Sequence, residues 1–407
     1  MTADATDRDS AFRFDYDPAT IRFGAGCVDD LATELERQGL ERALLVCGST
    51  VGSTPAVIEP VRAGLGDRLA DVFDETTPKK RLATALEGRE RLREVDADAI
   101  VSLGGGSSLD VAKAVSTLAA SDRATDDVAA AFAETGTITV PDDGLVPILA
   151  VPTTLAGADL STGAGITAAP ATLPVDEEVG GGVGDPGLMP AAAFYDPELV
   201  ATTPDAVLAG SAMNGFDKGI ETLYANNATP VTDATARHGL EKLVDGLAAF
   251  GDGNRDLDTF ETILEGLILV QYGISRPGET TLSIVHAFGH GLTRTDDVQQ
   301  GAAHAVVVSH VLDYLFEQVG VDARVGMLAD ALGVGNAADQ AAAVVAAVTE
   351  VRDTLGLPTR LRDVDGPEPD AFTAVAEAIL ADSFMTNAPP GLDPTVAEIE
   401  RVLEAAW

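Results

Sequence analysis

Short runs of consecutive apolar residues alternate with amphipathic stretches through the first half of the chain. ALLVCG (43–48), ADVFD (70–74), AIVSLGG (99–105) and VPILAVPTT (146–154) read as strands buried on both faces, while 55–66, 81–95 and 109–118 repeat their apolar positions every three to four residues, as helices do. Buried strands separated by helices predict a doubly wound, mostly parallel α/β sheet, because parallel neighbours need a crossover helix between them. After Asp196 this pattern stops, and AVLAGSAMNGFDKGIETLYA, ATARHGLEKLVDGLAAF, TILEGLILVQYGIS and AVVVSHVLDYLFEQV carry helical periodicity instead. The expected organisation is an α/β domain over 1–195 and an all-helical domain over 196–407. Residues 170–190 and 366–369 have loop composition.

The third of these strands runs into Gly104, Gly105 and Gly106 and then directly into a helix. Glycines let backbone take positive φ and approach a ligand closely, and a helix N-terminus attracts anions, so this loop is a candidate pyrophosphate cradle with Ser107 and Ser108 as helix caps. A dinucleotide cofactor follows as the leading expectation. Asp110 is expected in the first turn, where its charge suits the helix dipole, and Lys113 near the phosphates. Gly48, Gly104 and Thr153 all fall at the carboxyl ends of strands, where doubly wound sheets bind ligands, so three loops converge on one cofactor. Ser49, Thr154 and Leu160 join that set, with Pro152 stiffening the turn before the threonines.

Composition narrows the partners. The net charge is −39, on 65 acidic side chains, which repels phosphate backbones and excludes nucleic-acid binding. Concentrated salt screens such self-repulsion, and the balance resembles that of proteins from salt-loving cells. Cys27 and Cys47 give no metal-ligand spacing and fit a reducing compartment. The opening MTADATDRDS and the absence of a run of about eighteen apolar residues point to a cytoplasmic protein with neither membrane span nor secretory signal.

FGAG (23–26), GGGSSLDVAK (104–113), VPTTLAGADLST (151–162), YDPEL (195–199), ETLY (221–224), HAFGH (286–290) and the closing IERVLEAAW together resemble the iron-containing alcohol dehydrogenase and dehydroquinate-synthase-like superfamily. The resemblance implies a nucleotide-binding α/β domain, a helical domain and catalysis in the cleft between them. Most such alcohol dehydrogenases hold a divalent metal with an aspartate, a histidine four residues later and two further histidines. Those positions here read Asn214, Lys218, His286 and Gln300. A lysine ammonium is no ligand, and three or four N, O or S donors are the usual requirement, so no catalytic metal is expected. The branch most like this chain is the metal-independent maleylacetate reductases, which are similar at AMNG, PTTLAGADLS, ETLYA and GAAHAVVVSH. Where the superfamily often places an aspartate on the adenosine ribose, this chain has Gly48, Ser49 and Thr50; the missing carboxylate favours NADP over NAD.

With the metal gone, hydride transfer to a carbonyl needs another source of positive charge. Lys218, one helical turn after Asn214 on the same face, is the expected source. His286 and His290, four apart on one helix, are expected to donate a proton to the alkoxide, with Asn214 completing the catalytic set. His304 and His310 fall in the next helical segment, and His238 reads as structural. The sequence reading is therefore an NAD(P)-dependent oxidoreductase, without metal, interconverting an alcohol and a carbonyl on a small polar or anionic substrate such as maleylacetate, and assembled as a homodimer. A metal-dependent relative with altered ligands and a non-catalytic nucleotide binder are the alternatives.

Overall fold

The computed structural model describes residues 12–295 and 298–407; the acidic opening stretch lies outside them. Six strands make a parallel sheet: β1 (Thr20–Phe23), β2 (Ala43–Gly48), β3 (Leu69–Thr76), β4 (Ala99–Gly104), β5 (Ile148–Pro152) and β8 (Ala192–Tyr195), in the order β1-β8-β5-β4-β2-β3. The remaining two, β6 (Gly163–Ala168) and β7 (Val179–Gly184), form a separate antiparallel pair. The α/β reading holds.

Alternation along the central strands explains burial on both faces. In β2, Ala43, Leu45 and Cys47 enter one hydrophobic cluster, with Val57, Ile58 and Val61 of the helix Pro55–Leu65, while Leu44 and Val46 point into the other. Ala99, Val101 and Leu103 of β4 divide from Ile100 in the same way. That second cluster does not end at the sheet. It runs on through Leu155, Leu208, Met213, Phe216 and Ile220 into the helical half, so one face of the sheet and the helices share a core.

β1 is held at the sheet edge by parallel pairing to β8, Thr20 opposite Ala192. Asp196, 1% exposed, reinforces this: its carboxylate accepts N–H groups of Gly26 at 3.2 Å and Glu198 at 3.0 Å.

Two segments depart from the sequence reading. Within the expected loop 170–190, Val179–Gly184 is a strand whose glycines allow close packing at two places: a Cβ at Gly181 would stand 1.9 Å from the Gly136 carbonyl oxygen and one at Gly182 2.2 Å from that of Ala164. In the helical half, Ser275–Arg276 and Glu279–Thr280 make a small antiparallel hairpin.

Candidate active site

Gly104 closes β4 at φ +131°, a conformation L side chains rarely adopt, and Gly105 follows in extended backbone as the N-cap of the helix Gly106–Ala119. A Cβ at Gly105 would lie 3.0 Å from Thr154 Cγ2, and Thr153 N–H donates to the Gly104 carbonyl at 3.0 Å, so the loops after β4 and β5 are in contact. The loop after β2 reaches the same place: Val51, in the short helix Ser49–Gly52 that follows Gly48, approaches Gly104. The three strand ends converge as expected.

The helix begins three residues before the expected Leu109. Ser107 and Ser108 therefore sit inside its first turn and do not cap it; the Ser108 hydroxyl is 2.9 Å from that of Thr76. No side chain caps this N-terminus; Ser108 N–H donates to the Gly105 carbonyl at 3.1 Å, and the N–H groups of Gly106 and Ser107 face the anion site.

Three expected cofactor contacts are engaged elsewhere. Asp110 lies beyond the first turn and accepts from Lys80 Nζ at 2.6 Å and from Gly165 N–H at 3.3 Å, tying the helix to β6. Lys113 is fully buried and donates to Ser161 O (2.6 Å), Ser161 Oγ (2.9 Å) and Gly163 O (3.0 Å), so its ammonium is spent as a loop anchor. Leu160 belongs to the core, its N–H donating to Gln271 Oε1 at 3.3 Å. Pro152 is the last residue of β5 rather than part of a turn.

The helix Asp205–Tyr224 crosses the loop that follows β5 at very close range. A Cβ at Gly215 would stand 2.4 Å from the Leu155 carbonyl oxygen, and one at Gly219 2.8 Å from Leu240. Glycine at both places lets the intervening Lys218 enter the interior. Its Nζ donates to the carbonyl oxygen of Gly157, and the side chain is not in bulk water. Burial pulls the Lys218 ammonium down to about 8, opposed by the buried carboxylate of Asp159. Asp159 in turn is pushed up to about 6 by burial and restrained by Lys218 and Lys113.

His286 is closed in on both sides. Its Nδ1 is 2.5 Å from Glu221 Oε2, its N–H donates to Glu221 Oε1 at 3.0 Å, and its Nε2 is 3.3 Å from Asn214 Oδ1. Burial, with the neighbouring His304, holds the imidazole well below the usual histidine range, and burial pushes Glu221 up to about 7. A neutral imidazole clamped this way is held between Glu221 and Asn214. His304 packs edge-on against it, ring centroids 4.5 Å apart, with Nδ1 3.0 Å from Asp217 Oδ2.

His290 does not share these partners. Its Nδ1 is 2.9 Å from Asp382, which also meets Arg294 at 3.2 Å. The histidines four apart thus serve two different carboxylates. His238 is on the surface beside Glu241.

The sequence reading missed Asp159, Asp217, Glu221 and Asp382. Glu221 was findable, three residues after Lys218 and seven after Asn214 on one helical face. Asp382, 92 positions from His290, gave no local signal.

The groups at Asn214, Lys218, His286 and Gln300 do not fit a divalent ion. The lysine is a donor already engaged, and both imidazole nitrogens of His286 are occupied. Among the described residues no group of three or more His, Cys, Asp or Glu side chains is arranged to hold one. The glycine loop, by contrast, fits a dinucleotide pyrophosphate, since any side chain at Gly105 would fill the cradle.

Comparison with known proteins agrees with this architecture. The iron-containing alcohol dehydrogenase pattern matches residues 18–197, and the C-terminal pattern of the same family matches 208–407. The 4-hydroxybutyrate dehydrogenase of Cupriavidus necator is 30% identical over 96% of this chain and 99% of its own length. The maleylacetate reductase of Pseudomonas aeruginosa is 29% identical over 92% of each. The crystal structure of maleylacetate reductase from Agrobacterium tumefaciens superposes with a TM-score of 0.76 over 98% of both chains, at 24% identity. With its cofactor-type glycine loop, its two-part architecture and matches along nearly its whole length, the chain belongs to the iron-containing alcohol dehydrogenase family, close to the maleylacetate reductases, and is an oxidoreductase acting between alcohols and carbonyl compounds.

Proposed function

We propose that this protein reduces a small polar or anionic carbonyl compound, such as the keto acid maleylacetate, with NAD(P)H and without a metal ion. The observation that carries the reading is the buried Lys218 ammonium at the contact between the loop after β5 and the helical half. A cation there supplies the charge that a metal ion would otherwise place beside the reacting oxygen.

Gly104, Gly105 and Gly106 hold the pyrophosphate, with Ser49 and Thr154 bordering the same cradle. A nicotinamide cofactor held there would supply the hydride in reduction and take it up in oxidation. As the carbonyl oxygen gains negative charge, Lys218 stabilises it and transfers a proton from Nζ, leaving a neutral amine. That transfer is within reach near neutrality because burial has lowered the ammonium to about 8. Asn214, held by His286 and through it by Glu221, orients the same oxygen. The absence of a carboxylate at Gly48–Thr50 favours NADPH. The protein works as a cytoplasmic homodimer in a salt-rich cell, its charge of −39 screened by the medium.

The test is steady-state reduction of maleylacetate with NADPH and with NADH by metal-free wild-type protein and by Lys218→Ala. Turnover in the wild type and its loss in the variant support the reading; equal turnover in both sinks the role of Lys218.

A further inference from the structure

A lysine that gives up a proton on every turnover must recover one, and Lys218 is enclosed by protein. Beside it a cavity of about 40 Å³ is lined by Lys218, Ser275 and Thr280 and by the apolar Leu160, Ile274 and Leu282, among others. The Gln271 side chain, 2% exposed, borders the same space, its Oε1 used by Leu160 N–H. The hydroxyl residues Ser161, Ser275 and Thr280 are all partly exposed, so the lining passes from the buried amine to the surface within a few side chains.

Buried polar groups seek partners, and a space of this size that an ammonium and hydroxyl groups reach takes water even where apolar side chains complete its wall; it is far too small for a dicarboxylic substrate. We infer that this cavity holds about one or two ordered waters and is the port through which Lys218 exchanges its proton with solvent. Water accepts from Lys218 and donates to the hydroxyl oxygens of Ser275 and Thr280. A proton entering from solvent passes along this chain to the neutral amine, as another leaves the far end of the waters' hydrogen-bonded path in the reverse direction of reaction. The inference rests on the proposed function only for its purpose; the port itself is a property of Lys218 and its surroundings.

Lys113 is an internal control, also buried, at 0% exposure against 9% for Lys218, but with its ammonium bound to Ser161 and Gly163 and without a place in the cavity lining. In full-length protein labelled with 13Cε and 15Nζ at its few lysines, the exchange of side-chain amine protons with water is measured by NMR. Lys218 is expected to exchange at least about tenfold faster than Lys113, as solvent-connected groups do relative to sealed ones. The double variant Ser275→Ala with Thr280→Val makes the rim apolar and dries the cavity, and it is expected to bring Lys218 down to the rate of Lys113. A crystal structure refined at high resolution adds a direct readout, an ordered water in contact with Lys218 in the wild type. Lys218 exchanging as slowly as Lys113, an unchanged rate in the double variant, or a dry cavity overturns the port. None of these readouts uses catalysis, so loss of the port and loss of the catalytic role of Lys218 are told apart.

Discussion

The ammonium of Lys218 donates to the carbonyl oxygen of Gly157, 61 positions earlier in the chain, and so joins the helical half to the loop that follows β5. Gly157 can offer that carbonyl because it sits at φ +66° and leaves no room for a side chain, a Cβ there lying 3.0 Å from Gln271. The bond fixes where the one buried cation of this helix stands relative to the cofactor loops.

Removing that charge lowers catalysis without unmaking the cradle. Lys218→Ala is expected to reduce kcat for carbonyl reduction by about 10² to 10³, the loss seen when an oxyanion-stabilising donor is deleted. Lys218→Arg restores little, since a guanidinium stays charged and cannot give up its proton near neutrality. Steady-state kinetics with cofactor-binding titrations checks both, and the Kd for NADPH should change less than threefold (roughly, for a group outside the pyrophosphate loop).

The pH dependence has opposite signs in the two directions. Lys218 titrates near 8, so its protonated form, required for reduction, is full below that value and lost as pH rises through it. Oxidation needs the neutral amine and rises over the same range. Profiles of kcat/KM should bend near 8 in both directions, with about a tenfold change per pH unit on the failing limb. Profiles that bend together, or not at all, would dismiss Lys218 as the acid and base.

Exhaustive chelation is expected to leave activity within about twofold, because the four superfamily positions no longer make a ligand set. Reinstating one tests the same claim from the other side. Asn214→Asp, Lys218→His and Gln300→His together should create zinc binding measurable by calorimetry, where the wild type shows none.

Gly105→Ala places a methyl 3.0 Å from Thr154 Cγ2 in the mouth of the cradle. Its backbone, φ −86° and extended, tolerates the substitution, so the fold should survive while NADPH binds about tenfold more weakly. Fluorescence titration of the nucleotide reads the one effect and thermal melting the other.

Thermal stability should climb with salt. A surface carrying the charge of −39 repels itself at low ionic strength, where the screening length is about 10 Å in 0.1 M salt, against about 3 Å at 1 M. Melting temperatures measured across potassium chloride concentrations should rise over that interval; a flat or falling curve would remove the case for a salt-adapted protein.

The sheet was legible because burial on both faces leaves unbroken apolar runs, as in ALLVCG and AIVSLG, whose edges the glycines mark. Asn214 and Lys218 were legible as neighbours because helical spacing is local. What periodicity could not give was the partner of each buried group. His286 and His290 look equivalent in sequence, yet Glu221 encloses one and Asp382 anchors the other, and only the packing of three helices decides which. Lys113 and Asp110 misled for the same reason: both lie near the glycine loop in sequence, while the β6–β7 region that claims them is a long-range contact. The early start of the helix at Gly106 reflects a glycine taking a first-turn position that its low helix propensity argues against.

The pairing of β1 with β8 sets a waiting time on assembly. A ribosome delivers the strand Thr20–Phe23 first and its partner Ala192–Tyr195 about 170 residues later, which at typical synthesis speeds is roughly 10 to 30 s. Throughout that interval the earliest strand has no neighbour, and Gly26 and Val28 lack the carboxylate of Asp196 that will fasten them. The segment made first is therefore among the last to be secured, and a nascent chain halted before Ala192 would display a bare strand to whatever holdase or protease meets it.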